Sequence, residues 1–365
     1  MSSYVFATMS KRVLIAISGG VDSAVAAFLL KSMGMDVSAV YMRTWQNENE
    51  LGQCPWAEDL QSAKSVADHL AIPFSIVNMM SFYKKHVVEA LIDGYRRGIT
   101  PNPDILCNQF IKFGALLDYA VKNGFTELAT GHYCRIFKEK NTHQLWEGID
   151  ETKDQSYFLS RICGNALEKI LFPVGHLRKV EVRALAQKIG LPNANRRESQ
   201  DICFLGGKVT LQDFLRSHLK PNPGDIIRCD GKVVGRHSGL YRYTMGQRKG
   251  IGVPSNRDFE KFVVVGKDLE KNQLIVAFES DRANGLSTHS VILSDVHFIG
   301  EPIAGSHAML GKVRYRDPSI PVHITFAENG RAAVEFETAQ RALAEGQTFA
   351  FYDDKRLLGS GIYTT

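Results

Sequence analysis

The chain has 365 residues, 44% of them hydrophobic and 23% charged. That length suits two or three domains at roughly 150 residues each and allows a packed core. No apolar run approaches the roughly 18 residues that span a bilayer, and Met1 to Ser10 holds neither Lys nor Arg nor a long apolar stretch. No membrane partner or secretory signal is therefore expected, and the expected compartment is cytoplasmic. The net charge of +5 is compatible with a nucleic-acid partner but does not require one. Six cysteines, at 54, 107, 134, 163, 203 and 229, lie at least 26 positions apart. Without a Cys-x-x-Cys pair, no dedicated metal site is expected. In a reducing compartment these are thiols unless two of them do redox chemistry.

The first element is the apolar strand Arg12-Val13-Leu14-Ile15, running into Ala16-Ile17-Ser18-Gly19-Gly20-Val21-Asp22-Ser23 and then the amphipathic helix Ala24 to Lys31. Gly19 and Gly20 permit a tight turn and close backbone approach to a ligand. The turn's N–H groups and the helix N-terminus make an anion site, to which Ser18 and Ser23 add hydroxyls. The pattern lacks the Lys-Ser/Thr of a P-loop and is not Gly-x-Gly-x-x-Gly. Ser-Gly-Gly-x-Asp-Ser resembles instead the pyrophosphate loop (PP-loop) of enzymes that adenylate a substrate and release pyrophosphate. An ordinary strand-to-helix turn with two glycines is the alternative.

Downstream, Asp36–Met42 reads as a second strand, Glu58–Leu70 as a helix with Leu60, Ala63, Val66, Ala67 and Leu70 on one face, Phe74–Val77 as a third strand, and Phe82–Arg96 as a helix. This alternation predicts a parallel sheet with helices on both faces and a ligand at the strands' carboxyl ends. The stretch Gly98 to Asn108 carries two prolines that stiffen it and sets Asp104 and Cys107 three residues apart at the start of a helix over 105–122. Asp104 as an N-cap with Cys107 as core filler is one reading; a thiol favoured as thiolate near a helix start is the other. Glu127–Tyr133 reads as a buried strand that brings Gly131 and His132 to the sheet's carboxyl edge. Cys134–Glu147 reads as a hairpin about Lys140-Asn141, and Val182–Ile189 as a short helix closed by Gly190 and Pro192. Arg196 to Phe204 is a charged segment containing Cys203, compatible with a solvated surface run around one buried thiol. After Gly206-Gly207 the texture becomes short strands. Tyr241 to Gly252 mixes aromatic, basic and glycine residues in a way that suits RNA contacts or a plain β-loop. Six regular strands from Val291 to Ile362 predict a small β-barrel or sandwich, with Arg314-Tyr315-Arg316 at a strand end, where a phosphate backbone is readily gripped.

The ordered set Ser18–Ser23, Thr100–Asn108, Thr130-Gly131-His132-Tyr133, Lys153-Asp154-Gln155-Ser156-Tyr157-Phe158, Asp201-Ile202-Cys203-Phe204 and Tyr243-Thr244-Met245-Gly246-Gln247-Arg248 resembles the bacterial tRNA-specific 2-thiouridylase family from Lys11 onward. The resemblance implies an α/β fold: a doubly wound, Rossmann-like PP-loop domain over 1–205, a small mixed α/β tRNA-contacting domain over 206–285, and a C-terminal β-barrel over 286–365. It implies a transferase that uses ATP, with Mg²⁺ accompanying it, to adenylate the 2-oxygen of the wobble uridine in tRNAs for Lys, Glu and Gln. A protein persulfide then replaces that oxygen, leaving 2-thiouridine, AMP and diphosphate. By motif, Ala16, Ile17, Ser18, Gly19, Gly20, Val21, Asp22, Ser23, Met42 and Gly131 would bind ATP, and Asn102, Pro103 and Asp104 the target base, with Asp104 as acid/base. Cys203 would take sulfur from a donor protein, either a persulfide relay or a cysteine desulfurase. Cys107 would release that sulfur by closing a transient Cys107–Cys203 disulfide. His132, Lys153, Asp154, Gln155, Arg314, Tyr315 and Gln347 match the tRNA-contacting positions. Two thiols 96 positions apart fit this chemistry, because a second thiol is needed to free sulfur from the first, and a wobble base reaches an enclosed pocket only when splayed from its stack. The rivals are another PP-loop enzyme that needs no paired cysteines, such as an argininosuccinate, GMP or lysidine synthetase, and a non-catalytic nucleotide-sensing RNA-binding module.

Overall fold

The computed structural model describes residues 11–45, 56–197, 209–254, 260–279 and 286–364. They form two compact units, 11–84 with 107–197 and 85–106 with 209–364. The first half runs β1 (Arg12–Ala16), α1 (Val21–Ser32), β2 (Asp36–Arg43), α2 (Trp56–His69), β3 (Phe74–Asn78), α3 (Met80–Tyr83), α4 (Glu89–Arg96), α5 (Pro103–Leu106), α6 (Leu117–Lys122), β4 (Glu127–Ala129), β5 (Cys134–Glu139), β6 (Thr142–Glu147), β7 (Ile170–Leu171) and α7 (Lys179–Lys188).

In the first unit, five strands pair in the order β3-β2-β1-β4-β7, all parallel. The apolar runs Val13-Leu14-Ile15 and Leu128-Ala129 are fully buried, as strands covered on both faces require. Helix α1 packs closely because its buried face is built from Val21 and Ala24 to Ala27, and it shares one core with Ala63, Val66 and Ala67 of α2 and Val182 and Ala186 of α7. Chain order runs from β1 out to β3 and then returns past β1 to β4. The switch point of this doubly wound sheet therefore lies between β1 and β4, where such sheets bind ligands at their carboxyl ends. Hairpin β5–β6 turns at Lys140 (φ 52°), as its sequence predicts. From Cys107 to Leu116 the backbone is a π-helix, which period-3.6 patterning does not distinguish from an α-helix. Gly114 accommodates it: a Cβ there would lie 2.9 Å from the carbonyl oxygen of Gln109, five residues earlier.

The second unit holds α8 (Leu211–His218), β8 (Gly224–Arg228), β9 (Val233–His237), β10 (Phe262–Asp268), β11 (Gln273–Phe278), β12 (Ser287–Phe298), β13 (Gly305–Lys312), β14 (Ile320–Phe326), β15 (Ala332–Arg341), β16 (Thr348–Asp353) and β17 (Arg356–Thr364). A mixed four-stranded sheet, β10-β11-β8-β9, buries Ile226, Val264, Leu274 and Val276. Six antiparallel strands, β12-β15-β14-β13-β16-β17, close into a barrel through β12–β17 pairing around Phe326, Phe336, Phe349, Phe351 and Tyr363. Closure is tight at β17: a Cβ on Gly359 would lie 2.0 Å from the carbonyl oxygen of His297 on β12. Among the described residues no helix is long and apolar enough to cross a membrane.

Because that clash is with backbone, Gly359→Ala forces the seam apart. It should destabilise the barrel by about 3 kcal/mol, the upper range for overpacking, read as a lowered midpoint in thermal or urea unfolding. An unchanged midpoint would contradict the closure described.

Candidate active site

The loop after β1 is held by its own side chains and by Ser62, Asn193 and Arg196. Gly19 has φ +83°, and a Cβ there would lie 2.5 Å from the carbonyl oxygen of Asp59, so only glycine fits. The Gly19 carbonyl accepts from Ser62 Oγ at 2.8 Å, Asn193 Nδ2 at 2.9 Å and Arg196 Nη1 at 3.1 Å. Arg196 also pairs with Asp59. Burial raises the Asp59 carboxyl above its ordinary value while Arg196 pulls it down. Ser23, buried on α1, accepts from the Ser18 N–H at 3.2 Å and donates to the Gly20 carbonyl at 3.1 Å, and the Gly20 N–H donates to Ser18 Oγ at 3.3 Å. These bonds turn the loop back on itself and open α1 directly at Val21, whose first-turn N–H groups have no acceptor within the helix.

Gly131 brings the end of β4 against that first turn. A Cβ on it would lie 2.6 Å from the Ser23 nitrogen and 2.8 Å from the Asp22 carbonyl carbon. Met42, near the end of β2, pairs with Val77 on β3 and lies two residues past Val40, the partner of Ala16. Ala16, Ile17 and the Ser18–Ser23 loop are thus gathered at one sheet edge with Met42 and Gly131.

Asp22 is the polar hub. Its carboxylate accepts from Tyr133 Oη at 2.7 Å and from Lys179 Nζ at 2.7 and 2.8 Å. The ammonium lies 5.6 Å from the centre of the Tyr133 ring, and its side chain is only 11% exposed. Sequence reasoning missed Lys179. One signal was available: a lysine in the first turn of a helix opposes the helix dipole, which suggests a reason beyond helix stability. An exposed helix terminus favours an anion by only about 0.3–1 kcal/mol, too little for a polyphosphate. A fixed ammonium stands beside it, paired with the Asp22 carboxylate, and presents a localised donor at that terminus.

Several residues expected at tRNA have internal partners. His132 is buried between Phe113 and Phe172, with ring centres 5.6 and 5.9 Å away. Its Nδ1 lies 2.7 Å from Thr130 Oγ1, and burial together with Lys112 holds its pKa well below the usual histidine value. Asp154, also buried, accepts from the Gly148 and Ser156 N–H groups at 3.1 Å and from Ser156 Oγ at 2.8 Å. Gln155 exchanges hydrogen bonds with the Tyr133 backbone, which steadies the tyrosine that holds Asp22; Lys153 beside it is partly exposed. In the second unit, Arg314 donates to the carbonyls of Arg341 and Ala342 at 2.5 and 2.6 Å, the Arg316 guanidinium lies 5.7 Å from the Tyr315 ring, and Gln347 Nε2 donates to the Thr100 carbonyl at 2.6 Å.

Asn102 caps α5, its Oδ1 accepting from the N–H groups of Asp104 and Ile105 at 3.1 and 3.3 Å. Pro103 takes the first helical position, which suits its missing N–H, and Asp104 is exposed. Cys107 is a buried thiol at the start of the π-helix, and Asn108 Nδ2 beside it donates to the Phe158 carbonyl at 3.2 Å. Cys203 and the rest of its motif lie outside the described residues. No group of three or more His, Cys, Asp or Glu side chains fit to hold a metal occurs among the described residues.

Three family models match in order: the tRNA methyl transferase HUP domain over residues 11–207, the tRNA methyl transferase PRC-barrel domain over 212–278, and the aminomethyltransferase beta-barrel domain over 288–363. The chain is 43% identical over 353 residues to the tRNA-specific 2-thiouridylase MnmA of Akkermansia muciniphila, covering 96% of this chain and 98% of that one. It is 44% identical to MnmA 1 of Geobacillus kaustophilus (96% and 95% covered) and 41% identical to MnmA of Methylobacillus flagellatus (98% and 99% covered). The chain belongs to the tRNA-specific 2-thiouridylase family. The loop that the Ser18–Ser23 motif predicts lies at the switch point of the first unit's parallel sheet, within the matched HUP domain.

If Lys179 supplies charge to a polyphosphate, Lys179→Met should slow tRNA-dependent release of AMP from ATP by about 100-fold, the scale for loss of one preorganised charge donor. Its affinity for tRNA should stay within about twofold and Lys179→Arg should recover part of the rate. Wild-type AMP release by Lys179→Met would remove the residue from the site.

Proposed function

We propose that the chain thiolates the wobble uridine of tRNA at its 2-position, using ATP and a cysteine persulfide. The observation that carries the ATP half is the loop fixed through Ser18, Ser23 and the Gly19 carbonyl at the N-terminus of α1, with Lys179 held on Asp22. Family membership carries the thiolation half: relatives covering nearly the whole chain are named tRNA-specific 2-thiouridylases.

ATP lies at the switch point, its phosphates on the Ser18–Ser23 loop with Lys179 offsetting their charge, and its nucleoside toward Met42 and Gly131. Mg²⁺ accompanying ATP would neutralise phosphate charge; the chain's own residues carry the steps that follow. Asn102, Pro103 and Asp104 hold the flipped uracil, and Asp104 manages the proton on the base as its 2-oxygen attacks the α-phosphorus. Diphosphate leaves, and the poor leaving oxygen becomes part of AMP. A donor protein, a persulfide relay or a cysteine desulfurase, has loaded Cys203 as a persulfide. Its terminal sulfur attacks C2 and expels AMP. The Cys107 thiolate then attacks the Cys203 sulfur, breaking the S–S bond, leaving sulfur on C2 and forming the Cys107–Cys203 disulfide. A cellular dithiol returns both cysteines to thiols by exchange. The proposed tRNAs are those for Lys, Glu and Gln, and the compartment is the cytoplasm. Lys153, Arg314 and Tyr315 are proposed at the tRNA backbone. For His132, Asp154 and Gln155, internal partners favour shaping the ground beneath Tyr133 over direct tRNA contact.

Nucleoside mass spectrometry of bulk tRNA from a deletion strain tests this reading. 2-Thiouridine derivatives should vanish, return with the wild-type gene, and stay absent with Cys203→Ser or Cys107→Ser. Retained 2-thiouridine in the deletion would overturn it. Restoration by both serine variants would instead favour a PP-loop enzyme that needs no paired cysteines.

A further inference from the structure

The segment that carries Asp104 is tied down at points the proposed chemistry does not touch. Helix α4 ends on Gly98 (φ +81°), and Pro101 lies on Gly94, where any Cβ would come within 2.2 Å of the proline ring. The Gly98 carbonyl accepts from Lys267 Nζ of β10 at 2.8 Å. Two residues on, both backbone groups of Thr100 are taken by the turn before β16: its N–H donates to the Glu345 carbonyl at 2.8 Å, and its carbonyl accepts from Gln347 Nε2 at 2.6 Å. Gly346 (φ +85°) makes room, since a Cβ there would lie 2.9 Å from the Thr100 nitrogen. The turn is itself stitched to the barrel, with Gly346 N–H donating to the Tyr363 carbonyl at 3.1 Å and Tyr363 N–H to the Gln347 carbonyl at 2.9 Å.

We propose that Gln347 and Lys267 are positioning residues: by holding the backbone at Thr100 and Gly98 they fix where Asn102 caps α5 and therefore where Asp104 stands. The proposal rests on the reading of Asp104 as the group that handles the uracil. It assigns Gln347 a partner within the chain in place of the direct tRNA contact its motif position suggests. The register supports it. Only three residues separate Thr100 from Asp104, and that interval is stiffened by Pro101, Pro103 and the Asn102 cap, so displacement at Thr100 is passed on rather than absorbed. Lys267 carries its own mark of constraint: burial lowers its ammonium to about 8, with Glu345 opposing that shift. A lysine retained at such a cost to its charged form is holding something, and the Gly98 carbonyl is the partner it has.

The test compares Gln347→Glu, a near-isostere that cannot donate to the Thr100 carbonyl, and Lys267→Met with the wild-type chain, using unmodified tRNA, ATP and a persulfide donor. Single-turnover thiolation should fall by about 10- to 100-fold, the scale for a misplaced reacting group, while the tRNA Kd stays within about twofold. Lys267→Arg, which keeps a donor, should recover most of the loss. In an Asp104→Asn background the Gln347→Glu effect should largely disappear, because residues that act as one unit are not additive. An unchanged rate in both variants overturns the proposal, and so does a rise in Kd that accounts for the lost rate, which would make Gln347 a tRNA contact. If Gln347→Glu does not fold, the Lys267→Met and Lys267→Arg pair on another strand decides alone. Asp104→Asn by itself separates the two failures: wild-type thiolation by that variant sinks the reading of Asp104, whereas an inactive Asp104→Asn beside unaffected Gln347 and Lys267 variants sinks only the positioning role.

Discussion

The nucleotide end of the first unit depends on one close approach, the end of β4 against the first turn of α1. Gly131 has no Cβ to keep the two apart; any side chain would enter the backbone at Asp22 and Ser23. The approach places Tyr133, two residues on, where its hydroxyl reaches Asp22. Asp22 in turn anchors Lys179 from the start of α7. Three segments far apart in the chain thus meet at the switch point of a parallel sheet, and each supplies one charge or one donor. Preorganised dipoles need no rearrangement when charge develops, and the proposed binding of a polyphosphate by this loop would draw on that.

The second unit depends on a different constraint. The segment 85–106 lies between stretches of the first unit in sequence, yet it folds with the central sheet and the barrel. Its holding contacts come from Lys267 and the Glu345–Gln347 turn. On the proposed reading, Asp104 takes its place from these contacts within the second unit, while the Ser18–Ser23 loop takes its place within the first.

Much of this was legible in the sequence, and the reasons are local. Ser18, Gly20 and Ser23 satisfy each other within five residues, so much of the loop's geometry is local, although the Gly19 carbonyl draws its partners from Ser62, Asn193 and Arg196. The alternation of apolar strands and helices pointed to the parallel sheet, and the six evenly spaced strands after Val291 pointed to the barrel. What escaped depends on distance. Lys179 meets Asp22 across 157 positions and Gln347 meets Thr100 across 247, and no periodicity reports such pairs. His132 looked like a group at the sheet edge because Phe113 and Phe172, which bury it, come from other elements. Helix α8 was not anticipated although Thr210 and Asp213 form its capping box; Asp stands where Glu or Gln is the usual signal.

The most direct measurement follows the oxygen that is lost. A tRNA carrying ¹⁸O at the 2-position of its wobble uridine should, during thiolation with ATP and a persulfide donor, deliver one ¹⁸O atom to the phosphate of AMP, because adenylation makes that oxygen part of the leaving group. AMP with no label, alongside full conversion to 2-thiouridine, would mean that ATP is cleaved without activating the base, and would contradict the role of the Ser18–Ser23 loop in adenylating the uridine.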